Sequence, residues 1–101
     1  MVDTDLLTVV NGIIKEELSI VRKEFTPLTK GVDLISKSGV DSLEYMVLYM
    51  WLGELYGIDN KVFSSIETVG DVSIAQLSSF ITAKRTKTPE AQEALELYRT
   101  S

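Results

Sequence analysis

Apolar residues at intervals of three to four positions mark most of this 101-residue chain as helical. Residues 4 to 24 carry the first such stripe opposite a charged face, which predicts an amphipathic helix packed on a core. The apolar stripe consists of Leu6, Leu7, Val10, Ile13, Ile14, Leu18 and Val21. The charged face consists of Lys15, Glu16, Glu17, Arg22 and Lys23. Gly12 weakens the helix, and its position there indicates a close packing contact.

The helical pattern breaks between residues 25 and 40. Pro27, Gly31 and Gly39 predict a long loop in this stretch. Loops of this length in small domains are usually functional or held by their own apolar side chains, so we expect this one to lie across the bundle. The apolar residues available to hold it are Phe25, Leu28, Val32, Leu34 and Ile35.

A second helix, predicted from about residue 42 to residue 57, is apolar on nearly all sides. Asp41 suits its N-cap, Glu44 suits the reciprocal partner of a capping box, and Gly57 suits the C-terminal stop. Only Glu44 and Glu54 carry charge within it. A helix of this kind lies at the centre of a bundle or has a second face that meets a partner or ligand. The sequence leaves both readings open.

Two further core elements follow. Residues 58 to 66 suit a short helix or a turn over the core, with the apolar residues Val62, Phe63 and Ile66. Ser73 and Gln76 have the spacing of a capping box and predict the start of a last core helix, with a start near Val69 as the alternative. This helix continues with Ile74, Leu77, Phe80 and Ile81 at helical spacing.

The C-terminal residues predict one more helix. Thr88 suits an N-cap and Pro89 the first helical position, and a thin stripe follows at Ala91, Leu95 and Tyr98. We therefore predict an all-α fold with three longer helices and one short helix in a domain of residues 1–85. Residues 86–101 form a C-terminal extension, interpreted as a solvated appendage, with a docked or fraying terminal helix as the alternative.

Composition excludes several classes of function. The formal charge of −5, from 15 acids and 10 bases, argues against nucleic acid as a partner. The chain has no cysteine and no histidine, which excludes thiolate zinc sites, cysteine nucleophiles and Ser–His–Asp catalysis. Caps, loop geometry and solubilising charge account for Asp33, Asp41, Glu44 and Asp59, so we expect neither an enzyme nor a metal site.

No stretch of about 18 apolar residues is present, so the sequence predicts no membrane span. The first residues are acidic and lack the features of a signal peptide, which makes a cytoplasmic location the expectation.

Residues 39–44, with the sequence GVDSLE, contain the strongest candidate for chemistry. Ser42 falls at the first helical position, with its hydroxyl predicted to point outward. A phosphate attached there would lie beside unsatisfied backbone N–H groups and the positive end of the helix dipole. These six residues alone are more often a plain helix cap.

The wider pattern resembles the acyl carrier protein family over about residues 4–84. The resemblance rests on GVDSL at 39–43, YGI at 56–58, TVGDV at 68–72 and VDL at 32–34. It implies a small four-helix bundle and a 4′-phosphopantetheine arm esterified to Ser42 by a phosphopantetheinyl transferase that uses coenzyme A. It also implies that Asp41 helps to position the transferase and the phosphodiester, and that Leu43 belongs to the docking surface.

The same resemblance implies a monomeric shuttle and not a catalyst. The thiol of the arm would carry acyl groups as thioesters between the acyl-loading and acyl-using enzymes of a pathway. An aminoacyl or peptidyl carrier would use the same serine. An unmodified helical module that docks another protein is the alternative from a different class. The sequence gives neither cargo nor pathway.

The second helix departs from the family pattern. Carriers of fatty-acid synthesis usually display several acids there, whereas the outward positions here are expected to be Val47, Gly53 and Leu55. Trp51 stands where a small residue is common. We therefore expect docking to depend on apolar contact, as in a specialised lipid or natural-product pathway, such as polyketide synthesis. The expected docking residues are Leu43, Val47, Met50 and Trp51.

Two methionines of the second helix, Met46 and Met50, have two readings. In the first reading they line a pocket for the acyl chain, because methionine side chains adapt to irregular volumes. In the second they are ordinary core residues.

Overall fold

The computed structural model describes residues 4–67 and 71–100, and in these ranges the chain forms five α-helices around an apolar core. The helices are α1 (Thr4–Ile20), α2 (Ser42–Tyr56), α3 (Asn60–Glu67), α4 (Ile74–Lys84) and α5 (Ala91–Thr100), with a 3-10 turn at Ile35–Ser38. Helix α1 packs against α2 and α5, and α2 also contacts α3 and α5. Within the described ranges there is no strand, only an isolated bridge between Leu34 and Ser73. The prediction of an all-α fold is confirmed.

Helix α1 ends at Ile20, so the prediction that it continues to residue 24 is wrong. Arg22 has a left-handed backbone with φ of 59°, and the Lys23 N–H donates to the Leu18 carbonyl over 2.9 Å. Val21, predicted in the apolar stripe, is half exposed. The buried face of α1 stops at Leu18, so no core contact extends the helix further.

The buried face of α1 contains Leu6, Val9, Val10, Ile13, Ile14 and Leu18. Gly12 lies beside it, where a Cβ atom would be only 2.5 Å from Leu95 Cδ2 of α5. The close contact predicted at this glycine is confirmed, since its missing side chain lets α5 approach α1.

The loop between α1 and α2 is held partly by apolar residues and partly by polar ones. Leu28 and Ile35 are buried as expected, but Val32 is 80% exposed and Leu34 is 46% exposed, so these two do not hold it. The Asn11 side chain of α1 contributes instead: its Nδ2 donates to the Leu28 carbonyl over 2.8 Å, and its Oδ1 accepts from the Leu28 N–H over 2.9 Å.

Asp33 organises the same loop from within. Its Oδ2 accepts hydrogen bonds from the N–H groups of Thr29 and Lys30, each over 3.0 Å, and Lys37 Nζ lies 3.2 Å from Oδ1. The two backbone donors, with Lys37, lower the pKa of Asp33 to about 2. The structural role predicted for this acid is confirmed.

Helix α2 does not bury all of its apolar side chains in the core. It exposes Leu43, Met46 and Met50, so the reading of the two methionines as core residues is wrong. Gly53 and Leu55, predicted to point outward, are buried. A Cβ atom on Gly53 would lie 2.9 Å from the Ile58 carbonyl oxygen, which places this side of the helix against the chain that follows it.

Gly57 ends α2 as predicted. It adopts a left-handed backbone with φ of 66°, and its N–H donates to the Gly53 carbonyl. The short helix after it is also confirmed as α3. Its Phe63 ring stacks on Tyr49 of α2 and tilts against Phe80 of α4, which ties the three helices together.

Helix α4 begins at the predicted capping box. Ser73 Oγ accepts from the Gln76 N–H over 3.2 Å, and Gln76 Oε1 accepts from the Ser73 N–H over 2.9 Å. The alternative start near Val69 lies outside the described residues.

Helix α5 begins at Ala91, two residues after the predicted first position, and it is packed on the bundle. Ala91, Ala94, Leu95 and Tyr98 are buried. The Tyr98 hydroxyl donates to Glu17 Oε1 over 2.5 Å, and its desolvation and Glu17 raise the pKa of the phenol. The interpretation of this segment as a solvated appendage is wrong, because its apolar stripe fits against α1 and α2.

Two leucines of α5 allow a matched test of this packing. Leu95→Ala removes a buried side chain and should lower the free energy of unfolding by about 2–4 kcal/mol. Leu97→Ala removes a side chain that is 52% exposed and should change it by less than about 0.5 kcal/mol. Urea unfolding followed by circular dichroism measures both, and equal effects would contradict a docked α5.

Candidate functional site

A complete capping box begins α2, as the sequence predicts. Asp41 Oδ1 accepts from the N–H groups of Leu43 and Glu44 over 3.0 and 3.1 Å. Glu44 Oε1 accepts from the Asp41 N–H over 3.3 Å. Just before it, Gly39 has φ of 106°, and a Cβ atom there would lie 2.8 Å from the Glu24 carbonyl oxygen. Glycine is therefore required for this approach to the helix.

Lys23 closes the capping box from the other side. Its Nζ lies 2.8 Å from Glu44 Oε1 and 3.1 Å from Asp41 Oδ2. The Glu44 side chain is only 9% exposed, so the ammonium compensates a carboxylate that has lost most of its water. The two hydrogen bonds, first that to Glu44, raise the pKa of Lys23. The Glu44 N–H and Lys23 hold the pKa of Asp41 well below its usual range.

The sequence did not reveal this role of Lys23. Its helical spacing placed it on the charged face of the first helix, whereas it lies beyond the end of α1. No local pattern joins it to a residue 21 positions away.

Ser42 is the first residue of α2, and its side chain is exposed, as predicted. The neighbouring backbone differs from the expectation. The N–H groups of Leu43 and Glu44 already donate to Asp41, so they are not the unsatisfied donors that the sequence predicts for a phosphate. The positive end of the α2 dipole lies at Ser42, and Lys23 offsets one of the two negative charges of the adjacent carboxylates.

A groove of about 440 Å³ opens beside Ser42. Its lining residues come from the start of α2, the 3-10 turn and the segment before α4: Ser36, Val40, Asp41, Ser42, Tyr45, Met46, Tyr49 and Asp71. The exposed methionine, the two tyrosine rings and the serine hydroxyl give it both apolar and polar surface.

Asp71 fixes one wall of this groove. It accepts from the Tyr45 hydroxyl over 2.5 Å, from the Ser36 N–H over 3.3 Å and from the Ser36 hydroxyl. Although desolvation acts to raise it, the hydrogen bonds from Ser36 and Tyr45 lower the pKa of Asp71. Desolvation, followed by the bond to Asp71, raises the pKa of Tyr45. Sequence reasoning missed this pair, since its members are 26 positions apart.

The predicted docking residues lie only partly on one surface. Leu43 is 66% exposed, Met50 is 50% exposed and Val47 is half-buried, and the three share one face of α2. With Met46 they line a second hollow of about 360 Å³ that reaches Phe63 of α3. Trp51 stands apart from them, because its ring packs edge-to-face on Tyr98 of α5 with centroids 5.0 Å apart.

No protein-family model matches the chain, and neither a curated protein nor a solved structure matches it. Among residues 4–67 and 71–100, there is no cluster of three or more acidic residues suited to a metal ion. None of the helices formed by these residues is long and apolar enough to cross a membrane.

The depressed pKa of Asp41 predicts a pH dependence of stability. The ionised Asp41 carboxylate contributes its full stabilisation above its ordinary pKa of 3.8. This contribution is lost as the pH falls from that value toward the lowered pKa of the folded protein. Asn caps a helix about as well as Asp but does not titrate. Between about pH 5 and pH 2.5, the melting temperature of wild type should therefore fall by more than that of Asp41→Asn. Thermal melts at stepped pH measure this, and parallel curves would contradict the role of the carboxylate.

Proposed function

We propose that this protein is an acyl carrier that holds acyl groups as thioesters on a 4′-phosphopantetheine arm attached to Ser42. The observation that carries the proposal is the exposed Ser42 hydroxyl at the first position of a firmly capped helix, opening onto a groove. In this proposal the chain is a substrate and shuttle for other enzymes, and it has no catalytic activity of its own.

The residues around Ser42 fit a phosphodiester. Attachment makes a bond between Ser42 Oγ and the pantetheine phosphorus, breaks the pyrophosphate bond of coenzyme A, and releases the nucleotide part and the hydroxyl proton. The capping box and Lys23 hold the serine in place for the transferase. When bound, the arm supplies the thiol, which the cysteine-free chain itself lacks.

The groove beside Ser42 suits the arm and the start of its cargo. Tyr45, Met46 and Tyr49 offer apolar contact, and the Asp71 network keeps the wall in place. Fully buried side chains such as Leu48 and Leu52 fill the interior behind it, so we expect cargo to lie in the surface groove.

Partner enzymes would dock on the exposed apolar face formed by Leu43, Val47 and Met50. Apolar docking favours dedicated partners over broad electrostatic steering, which supports a role in a specialised lipid or natural-product pathway. These partners include a phosphopantetheinyl transferase and the acyl-loading and acyl-using enzymes. The same exposed face supports a second candidate function, an unmodified module that docks another protein.

Intact-mass measurement separates the two candidates. Wild type and Ser42→Ala are incubated with coenzyme A and a phosphopantetheinyl transferase of broad specificity. Wild type alone should gain one phosphopantetheine, because Ser42 Oγ is the accepting atom. If folded wild type gains nothing, the carrier function is wrong and the interaction module takes its place.

Methyl NMR signals locate the cargo. Met46 lines the groove beside Ser42, whereas Met50 does not, so loading an acyl chain should shift the Met46 methyl signal more than that of Met50. The protein carrying an unacylated arm is the reference. An unchanged Met46 signal would contradict placement of the chain in this groove.

A further inference from the structure

A larger groove, of about 780 Å³, lies at the opposite end of α2 from Ser42. The C-terminal half of α2 forms one side, and the segment leading into α5, with α5 itself, forms the other. Its apolar surface comes from Met50, Trp51, Leu55 and Leu97. Two of these side chains, Met50 and Leu97, are about half exposed, so the groove presents apolar surface to its surroundings.

Acidic side chains surround this apolar surface. Glu54 approaches from α2, and Glu90 and Glu93 from the start of α5, against a single base at Lys87. All four are exposed. None of the three carboxylates forms an ion pair with another residue of the described ranges. The groove therefore combines an apolar floor with a net negative rim, whose three carboxylates have no ion-pair partner in the part of the chain that the structure describes.

We propose that this groove docks a basic amphipathic helix of a partner protein. The apolar face of such a helix covers Met50 and Leu97, and its Lys or Arg side chains reach the three carboxylates. A free acyl chain would cover the apolar floor of the groove but would bring no positive charge to the three carboxylates. An anionic membrane surface is repelled by the same rim. The groove does not include Ser42, so this docking does not require the arm, although the groove shares Met50 with the face proposed for the partner enzymes of the carrier.

The tryptophan in the groove provides the measurement. Trp51 is the only tryptophan of the chain, and its fluorescence reports contacts at this site. The probe is a synthetic tryptophan-free peptide of leucine and lysine, patterned as an amphipathic helix. Titration into the full chain should give a saturable change in Trp51 emission, and a peptide with glutamate in place of lysine should give none.

A matched pair of charge variants tests the role of the rim. Glu54→Gln with Glu93→Gln removes two rim carboxylates and should weaken binding of the lysine peptide about fivefold. Glu24→Gln with Glu96→Gln removes the same charge from exposed positions that do not line the groove and should change binding by less than about twofold. Circular dichroism confirms that α5 remains folded in each variant.

Three outcomes would overturn the proposal: no saturable binding of the lysine peptide, equal binding of the glutamate peptide, or equal weakening by both pairs of variants. Ser42→Ala should bind the peptide like wild type. Loss of peptide binding and loss of phosphopantetheine attachment are therefore distinguishable results.

Discussion

The start of α2 depends on three charged side chains that hold one another. Asp41 satisfies the first free amides of the helix, Glu44 returns a hydrogen bond to Asp41, and Lys23 binds both carboxylates. This arrangement connects the segment after α1 to the beginning of α2 and holds Ser42 at the exposed first position of the helix. Both the groove beside Ser42 and the exposed apolar face begin from this point.

Local features of the structure followed directly from the sequence. Two capping boxes, which start at Asp41 and Ser73, and the C-terminal cap of α2 at Gly57 each depend on residues within four positions of one another. Such geometry is a property of short peptides as much as of the folded chain, so residue type and spacing suffice to predict it. The candidate site was predictable to the same extent: Ser42 at an exposed helix start, capped by its neighbours.

Other features depend on contacts between distant residues, which no local pattern indicates. The Tyr98–Glu17 hydrogen bond joins residues 81 positions apart and helps to dock α5 on α1. The inward side of α2 was also wrongly predicted at Gly53 and Leu55. A helix that is apolar in every direction has no periodic signal, and only tertiary packing decides which side the core covers. The groove between α2 and α5 follows from that packing.

The absence of cysteine from this chain permits a direct measurement of the central claim, that Ser42 carries a thiol-bearing arm. The protein is purified from the cells that produce it, treated with hydroxylamine to cleave thioesters, and then alkylated with iodoacetamide. The account predicts alkylation of the arm, with fragmentation by mass spectrometry locating the modification at Ser42. An intact chain that is not alkylated and has an unmodified Ser42 would contradict it.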